Sequence, residues 1–448
     1  MFVTVAATED PTLWDVVEEH LDESDFLLEQ WLNTTRSARL GLPDLHRAIE
    51  HRLLAHLDAL ATGGSVVADR LLWPTLAEDS EAPSTRVAAA VLALLADPGP
   101  SVAAWQDPLR RVLDTLLTPR GAAVHEGLAA AFQMTPRSDI DEPLRQALYA
   151  AGEQTLQVAL LTALAARRVN VGPVLPTLLQ HTEVPIVAAA LQAAPCSDRG
   201  PVRHLVERLL EHPDSPVRAE ALRTGLILNL DPAWRACVVE ARRGAPGALL
   251  GLSLFGGPGE LDLVAALARS GPHRKAAVRA LGASGRPDAV EACLPFLSDT
   301  DPQIAALALE AIATVTDLPW TETPYSKGAP DDLQSDDALP PLDEDLETDL
   351  APSDDDDLPA PNPPAVERWW SDNRGRFRGD GRFLTGLPLS SATMRDVLLA
   401  CPLRRVAAMA LDVAVRTGGR IQIPALRLRF VAPELPSDLR LTRPPIWS

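Results

Sequence analysis

The sequence predicts an all-α protein, an α-solenoid of stacked helical hairpins, and three observations carry that reading. A small residue followed by Leu or Val recurs at Ala159-Leu160, Ala190-Leu191, Ala221-Leu222, Gly251-Leu252, Ala277-Val278 and Ala308-Leu309, at spacings of 31, 31, 30, 26 and 31 residues. Looser matches, Ala90-Val91 and Gly127-Leu128, precede them. Prolines mark the starts of the same segments in Val184-Pro185, Ser215-Pro216, Ala245-Pro246, Gly271-Pro272 and Asp301-Pro302. A ring that fixes φ and lacks an N–H suits the first helical turn. Between Ser270 and Asp317, finally, Val290, Cys293, Leu294 and Leu297 fall at i, i+3, i+4 and i+7, one stripe of a helix. In the next segment Ile304, Leu307, Ala308, Ala311, Ile312 and Val315 occupy most of the circumference, with only Glu310 clearly charged. A helix apolar on most sides needs neighbours on more than one of them.

Composition agrees. Of 448 residues, 46% are apolar and only 4% aromatic, and the apolar share is mostly Ala, Leu and Val, as in close-packed helices. The net charge of −20 opposes DNA, RNA or an anionic membrane as the main partner, because a phosphate-binding surface needs excess cations. That charge is uneven: residues 1–321 carry 40 acids and 26 bases, 322–365 carry 14 acids and Lys327 alone, and 366–448 carry 7 acids and 14 arginines. Cys196, Cys237, Cys293 and Cys401 are isolated, without C-x-x-C or Cys/His spacing, so neither zinc nor a disulfide framework is expected. The N-terminus lacks the basic start and apolar core of a signal peptide, and no apolar run reaches membrane-spanning length. A reduced, cytoplasmic protein without membrane insertion is the expectation.

Taken in order, residues 1–79 read as N-terminal helical capping layers. Asp10-Pro11 starts a helix that Leu13, Trp14, Val16, Val17 and Leu21 make apolar on one side. Leu42-Pro43-Asp44 opens a second helix to about Leu60, with Leu45, Ile49, Leu53 and Leu57 spaced by four, and Val66 to Leu76 forms a further helical segment. Residues 80–321 are the repeat region. The small residue of each pair lets an inner helix approach its partner, and the large one fills the layer. Leu175-Pro176 and Leu294-Pro295 place prolines inside outer helices, where they bend the chain.

These segments resemble HEAT repeats, in particular short HEAT-like units of about thirty residues. Ser215-Pro216-Val217-Arg218-Ala219-Glu220-Ala221-Leu222 and Asp301-Pro302-Gln303-Ile304 look like the start of the second HEAT helix. The HEAT-type arginine is present as Arg86, Arg218 and Arg274, whereas Val187, Ala248 and Ala305 interrupt a continuous ladder. Two further stretches, Leu45 to Leu60 and Trp369-Trp370 through Gly381-Arg382-Phe383-Leu384-Thr385-Gly386, resemble an uncharacterised proteobacterial HEAT-like family whose members are often encoded near type VI secretion genes. That resemblance implies a bacterial context and no activity for any residue.

Residues 322–365 read as an acidic, proline-rich disordered linker, with runs such as Asp343-Glu344-Asp345 and Asp354-Asp355-Asp356-Asp357. It is either a solvated spacer or an arm whose leucines, Leu333, Leu339, Leu342, Leu346, Leu350 and Leu358, dock among carboxylates on a basic, partly apolar surface. An intramolecular contact with the arginine-rich tail would be one such case. In the C-terminal region, 366–448, helices are expected from Val366 to Asn373, Ser391 to Ala400 and Pro402 to Thr417. One or two strands follow from Ile421, Ile423, Leu426, Leu428 and Phe430, bent at Pro424.

Candidate partner-binding residues cluster in that tail: Trp369, Trp370, Arg374, Arg376, Phe377, Arg378, Arg382 and Phe383. Arginine meets phosphate or carboxylate, and aromatics stack on bases or bury against protein. The alternative is a cap whose tryptophans bury on the last repeat while its arginines pair with the acidic arm. His51 and His56 stand five residues apart, about 140° round a helix, and share no face as an i, i+4 metal pair would. His125-Glu126 stands alone. Gly256-Gly257-Pro258-Gly259 lacks the Lys and Ser/Thr of a phosphate loop. No catalytic constellation, cofactor or metal site emerges. The expectation is a non-enzymatic protein–protein scaffold or adaptor, with type VI secretion components or cargo as partners. Nucleic-acid binding through the tail, or a HEAT-like enzyme with an unrecognised site, are the alternatives.

Overall fold

The computed structural model describes residues 12–77, 81–96, 108–116, 121–327, 355, 358–379, 381–424, 427–430 and 435. The described chain is all-α apart from two-residue strands. All eight small–large pairs lie in helices, and every one of their residues is buried. By contacts the chain divides into two units: residues 1–33, 45–167 and 426–429 form the first, and 34–44, 168–425 and 430–448 the second. That division falls after Arg167 and groups the later helices with the C-terminal region.

In the first unit, α1 (Trp14–Thr34) is followed by a π-helical turn at His46–Glu50 and α2 (His51–Thr62). Short helical runs Gly64–Val67, Ala68–Leu72 and Trp73–Thr75 cover the expected third segment. Then come α3 (Ser84–Leu95), α4 (Pro108–Leu116), α5 (Ala122–Met134), α6 (Asp141–Ala150) and α7 (Gln154–Arg167). Helix α3 packs on α5, and α5 on α7. Gly127 permits the first of these approaches: a Cβ there would stand 2.5 Å from the Ser84 carbonyl oxygen and 2.6 Å from Val87 Cβ. Beyond the end of α5, the Arg167 guanidinium donates to the carbonyls of Phe132 and Thr135 at 2.8 and 2.9 Å. A cation there satisfies terminal acceptors and opposes the helix dipole.

In the second unit, α8 (Val184–Ala193), α10 (Ser215–Ile227), α12 (Pro246–Phe255), α14 (Arg274–Ala283) and α16 (Pro302–Val315) pack each on the next. Helices α9 (Arg199–Leu209), α11 (Asp231–Arg242), α13 (Pro258–Arg269) and α15 (Pro287–Cys293) alternate with them and flank them. Asp301 Oδ1 accepts the Gln303 N–H at 2.9 Å, the cap its position before Pro302 requires. Pro295 tightens the chain into a 3-10 turn at Leu294–Ser298, the expected bend. Helix α14 begins at Arg274 and not at Pro272, because Gly271, at φ +100°, takes up a left-handed turn first.

The C-terminal region adds α17 (Pro363–Asn373), α18 (Met394–Ala400) and α19 (Leu403–Arg416). Strand β1 (Ser326–Lys327) pairs antiparallel with β2 (Ala360–Pro361), and β3 (Phe383–Leu384) with β4 (Leu387–Pro388). Leu384, Leu389, Met394, Val397, Leu398, Val406 and Met409 build a local core. Helix α19 packs against α10 and α12, so the region rests on several helices of the second unit and not only on α16. The loop after α1 joins it: Leu403 N–H donates to Leu40 O at 2.9 Å and Arg404 N–H to Ser37 O at 3.1 Å.

One expectation is corrected here, and one is narrowed. The segment expected as a disordered linker over 322–365 is described at its two ends, where β1 pairs with β2; residues 328–354, 356 and 357 lie outside the described residues. The strands expected over 421–430 do not form among the described residues there. Leu428 N–H donates to Met134 O at 3.2 Å and Arg429 N–H to Glu50 Oε1 at 2.7 Å, and Arg429 has φ +55°. Those two donors go to a helix end and a carboxylate and so are not offered to a ladder.

Candidate functional site

The sequence-predicted tail residues divide by burial. Trp370 and Phe377 are buried and stacked, with ring centroids 5.7 Å apart at 27°, and Phe377 meets Phe383 edge-on at 5.2 Å and 84°. Helix α17, which carries Trp370, packs on the Leu294–Ser298 turn. Phe383 is partly buried, and its N–H donates to Gly285 O at 2.6 Å. Arg382 is buried, and its Nη1 donates to Asp412 Oδ2 at 2.7 Å while Nε donates to Ser284 O at 2.7 Å. These four side chains hold the region together. Trp369 is half-buried, and Arg374, Arg376 and Arg378 are exposed. Arg376 forks onto Asp317 from Nη1 at 3.0 Å and Nη2 at 2.5 Å, and that hydrogen bond holds its proton more tightly than usual.

A second constellation is electrostatically denser. Glu310, the one clear charge on α16, is buried and receives two arginines from the start of α19: Arg405 Nε at 2.8 Å and Arg404 Nη2 at 2.8 Å. Arg404 Nη1 also reaches Asp355 Oδ1 at 3.0 Å, and Arg279 of α14 donates to the other oxygen of Asp355. One carboxylate of the acidic segment is thus buried on Arg279 and Arg404. Burial alone would raise the Glu310 carboxyl, but the charges of Arg405 and Arg404 and their hydrogen bonds hold it below its ordinary range. Asp412, on α19, is shared by Arg382 and Arg416, the latter at 2.6 Å.

The same arginines donate to carbonyls at or near the ends of α12 and α14. Arg405 Nη1 donates to Arg279 O at 2.9 Å, Arg382 to Ser284 O, and Arg416 Nη2 to Leu254 O at 3.4 Å. Helix ends leave acceptors without intrahelical donors, so cations there both satisfy hydrogen bonds and oppose the dipole. Arg382, Arg405, Asp412, Thr314, Cys401 and Met409 border a cavity of about 10 Å³, the size of one water. The arrangement is chemically a lock: acids and bases neutralise one another, and Thr314 Oγ1 adds a hydrogen bond to Glu310 Oε1 at 3.3 Å.

Sequence reasoning singled out Arg382 and a contact between the acidic segment and the arginine-rich tail, of which Arg404–Asp355 is an instance, but not Arg404, Arg405 or Asp412 by number. The legible signal was a charge inside an apolar helix, present at Glu310 and again at Asp412. The histidines rearrange too: His56 meets His20 of α1, with Nδ1 atoms 2.9 Å apart. His125 is buried, with Nδ1 2.8 Å from Thr155 Oγ1. Among the described residues, no three His, Cys, Asp or Glu side chains converge as a metal site would require, and no single helix is long and apolar enough to cross a membrane.

No family model and no curated protein matches the chain. Among solved structures, a crystal structure of an engineered protein aligns at 17% identity and a TM-score of 0.26, covering 68% of this chain and 86% of that one.

Proposed function

We propose that this chain is a non-enzymatic protein-interaction scaffold, an α-solenoid adaptor of HEAT-like hairpins. The observation that carries the reading is the division of the tail arginines. Arg382, Arg404, Arg405 and Arg416 are drawn inward onto Glu310, Asp355 and Asp412, while Arg374 and Arg378 stand exposed a few residues along the chain from half-buried Trp369. Exposed arginines in a stretch that also carries a half-buried tryptophan have the composition of a contact patch, and their charge selects an acidic protein surface. Stacked helical repeats offer extended surfaces of this kind. The tie to type VI secretion, and to its components or cargo as partners, rests on the resemblance at Leu45–Leu60 and Trp369–Gly386 alone.

The test compares proteins captured from the native host by the wild-type chain and by Arg374→Glu/Arg378→Glu, at moderate salt and after nuclease treatment. Proteins retained by the wild type and lost with the variant support the reading. Identical captures from both overturn the assignment of the patch, and captures that vanish with nuclease move the function to nucleic acid.

A further inference from the structure

His20 on α1 and His56 on α2 meet ring to ring. Their Nδ1 atoms are 2.9 Å apart, with ring centroids 5.1 Å apart and planes at 63°. At that distance one Nδ1–H donates and the other Nδ1 must accept with its lone pair. The pair therefore tolerates one added proton, which charges one ring and keeps the hydrogen bond. A second added proton sets two N–H groups and two positive charges against each other.

The surroundings do not remove that conflict. Glu19 and Glu23 lie on the His20 side and favour protonation of His56, while Arg52, one turn before His56, opposes it and also pairs with Glu23 at 3.5 Å. Helix α3, which packs on α2, brings Arg86, held on Asp22 of α1. Burial first, and the neighbouring His20 second, push His56 below its ordinary value of 6.5.

We propose that the His20–His56 pair is an acid-sensitive clasp between α1 and α2, closed while the two rings share a hydrogen bond and released when both are protonated. The sign follows from proton counting. Separated histidines take up two protons as pH falls through about 6.5, whereas the closed pair resists the second. The closed form therefore loses population as pH drops below that value, by up to about tenfold per pH unit for the one excluded proton.

Hydrogen-exchange protection of backbone amides in α1 and α2 of the full chain, between pH 7.5 and 5.0, is the measurement. Wild type should lose protection there more steeply than His56→Gln or His20→Gln, in which the remaining histidine can bond glutamine without meeting a second charge. Imidazole NMR titration of the wild-type chain should show two coupled steps for the pair, and it stands even where a variant does not fold. Parallel loss of protection in wild type and variants, or two independent titrations at ordinary values, would overturn the clasp.

Discussion

Arg382 and Asp412 form an ion pair in which Nη1 and Oδ2 are 2.7 Å apart and each side chain is only 2% exposed. Such a pair lies far from solvent screening, and its geometry is completed by the bond from Arg382 Nε to Ser284 O. Removing one partner leaves the other charge buried. Asp412→Ala should therefore destabilise the chain by about 3–5 kcal/mol, whereas replacing Arg382, Asp412 and Arg416 together with apolar residues of similar volume should cost much less, since Arg416 shares the same carboxylate. Denaturant midpoints of the two variants at pH 7 check this.

Glu310 makes the lock sensitive to acid. Its folded-state carboxyl lies below the ordinary 4.5, so its contribution to stability is fully present above that value and is lost as pH falls through the lower, folded one. Wild type should lose stability more steeply below about pH 4.5 than Glu310→Gln, which starts less stable because Arg404 and Arg405 no longer face a full charge. Paired chemical denaturations at pH 7, 4.5 and 3.5 measure both effects, and equal pH slopes would remove Glu310 as a source.

Much of the fold could be read from local pattern, because helix periodicity, small–large pairs and N-terminal prolines act over one or two turns. Pro185, Pro216, Pro246 and Pro302 all sit in first turns, and Pro295 bends where it should. The misses are non-local. Nothing near Arg405 announces that its partner is Glu310, and nothing near Leu428 announces that its N–H will reach Met134. Alternating Leu and Arg at 426–430 has the period of a strand, but a strand also needs a free edge beside it. Charge counting placed an arginine-rich surface in the tail without separating the arginines that turn inward, since burial is decided by packing partners distant in sequence.

That separation predicts opposite behaviour for residues of one type. Arg374→Ala and Arg378→Ala remove exposed side chains and should leave stability within about 0.5 kcal/mol of wild type. Arg405→Ala strips buried Glu310 of a partner and the Arg279 carbonyl of a donor, and should cost several times as much, about 3–5 kcal/mol. Thermal denaturation of the three variants side by side distinguishes a contact patch from a lock. Comparable losses in all three would dissolve the distinction.

Close helix approach in the first unit is equally open to test. At Gly127 any Cβ meets Ser84 O and Val87 well inside contact distance, and the obstacle is helix backbone together with a β-branched side chain. Gly127→Ala gains helix propensity of about 1 kcal/mol, but the overlap forces α3 and α5 apart, at a cost of about 1–3 kcal/mol. The net change should be destabilising. A variant more stable than wild type would mean that α5 can shift without loss.

The cysteines report burial directly. Burial pushes the Cys237, Cys293 and Cys401 thiols up to about 12, and the Cys196 thiol also rises for the same reason, although Gln422 Nε2, 3.2 Å from its sulfur, pulls it back. Alkylation requires the thiolate and access to it. At pH 8 the native chain should therefore react slowly with iodoacetamide, with Cys196, the least buried of the four, modified first. Because Cys401 lies under the start of α19, its labelling should accelerate in Arg405→Ala if loss of the Glu310 pair loosens that helix, while Cys237 of α11 stays protected. Mass spectrometry of alkylated peptides over time gives each rate. Equal acceleration at Cys237 and Cys401 would mean that the second unit opens as a whole and that α19 has no separate motion.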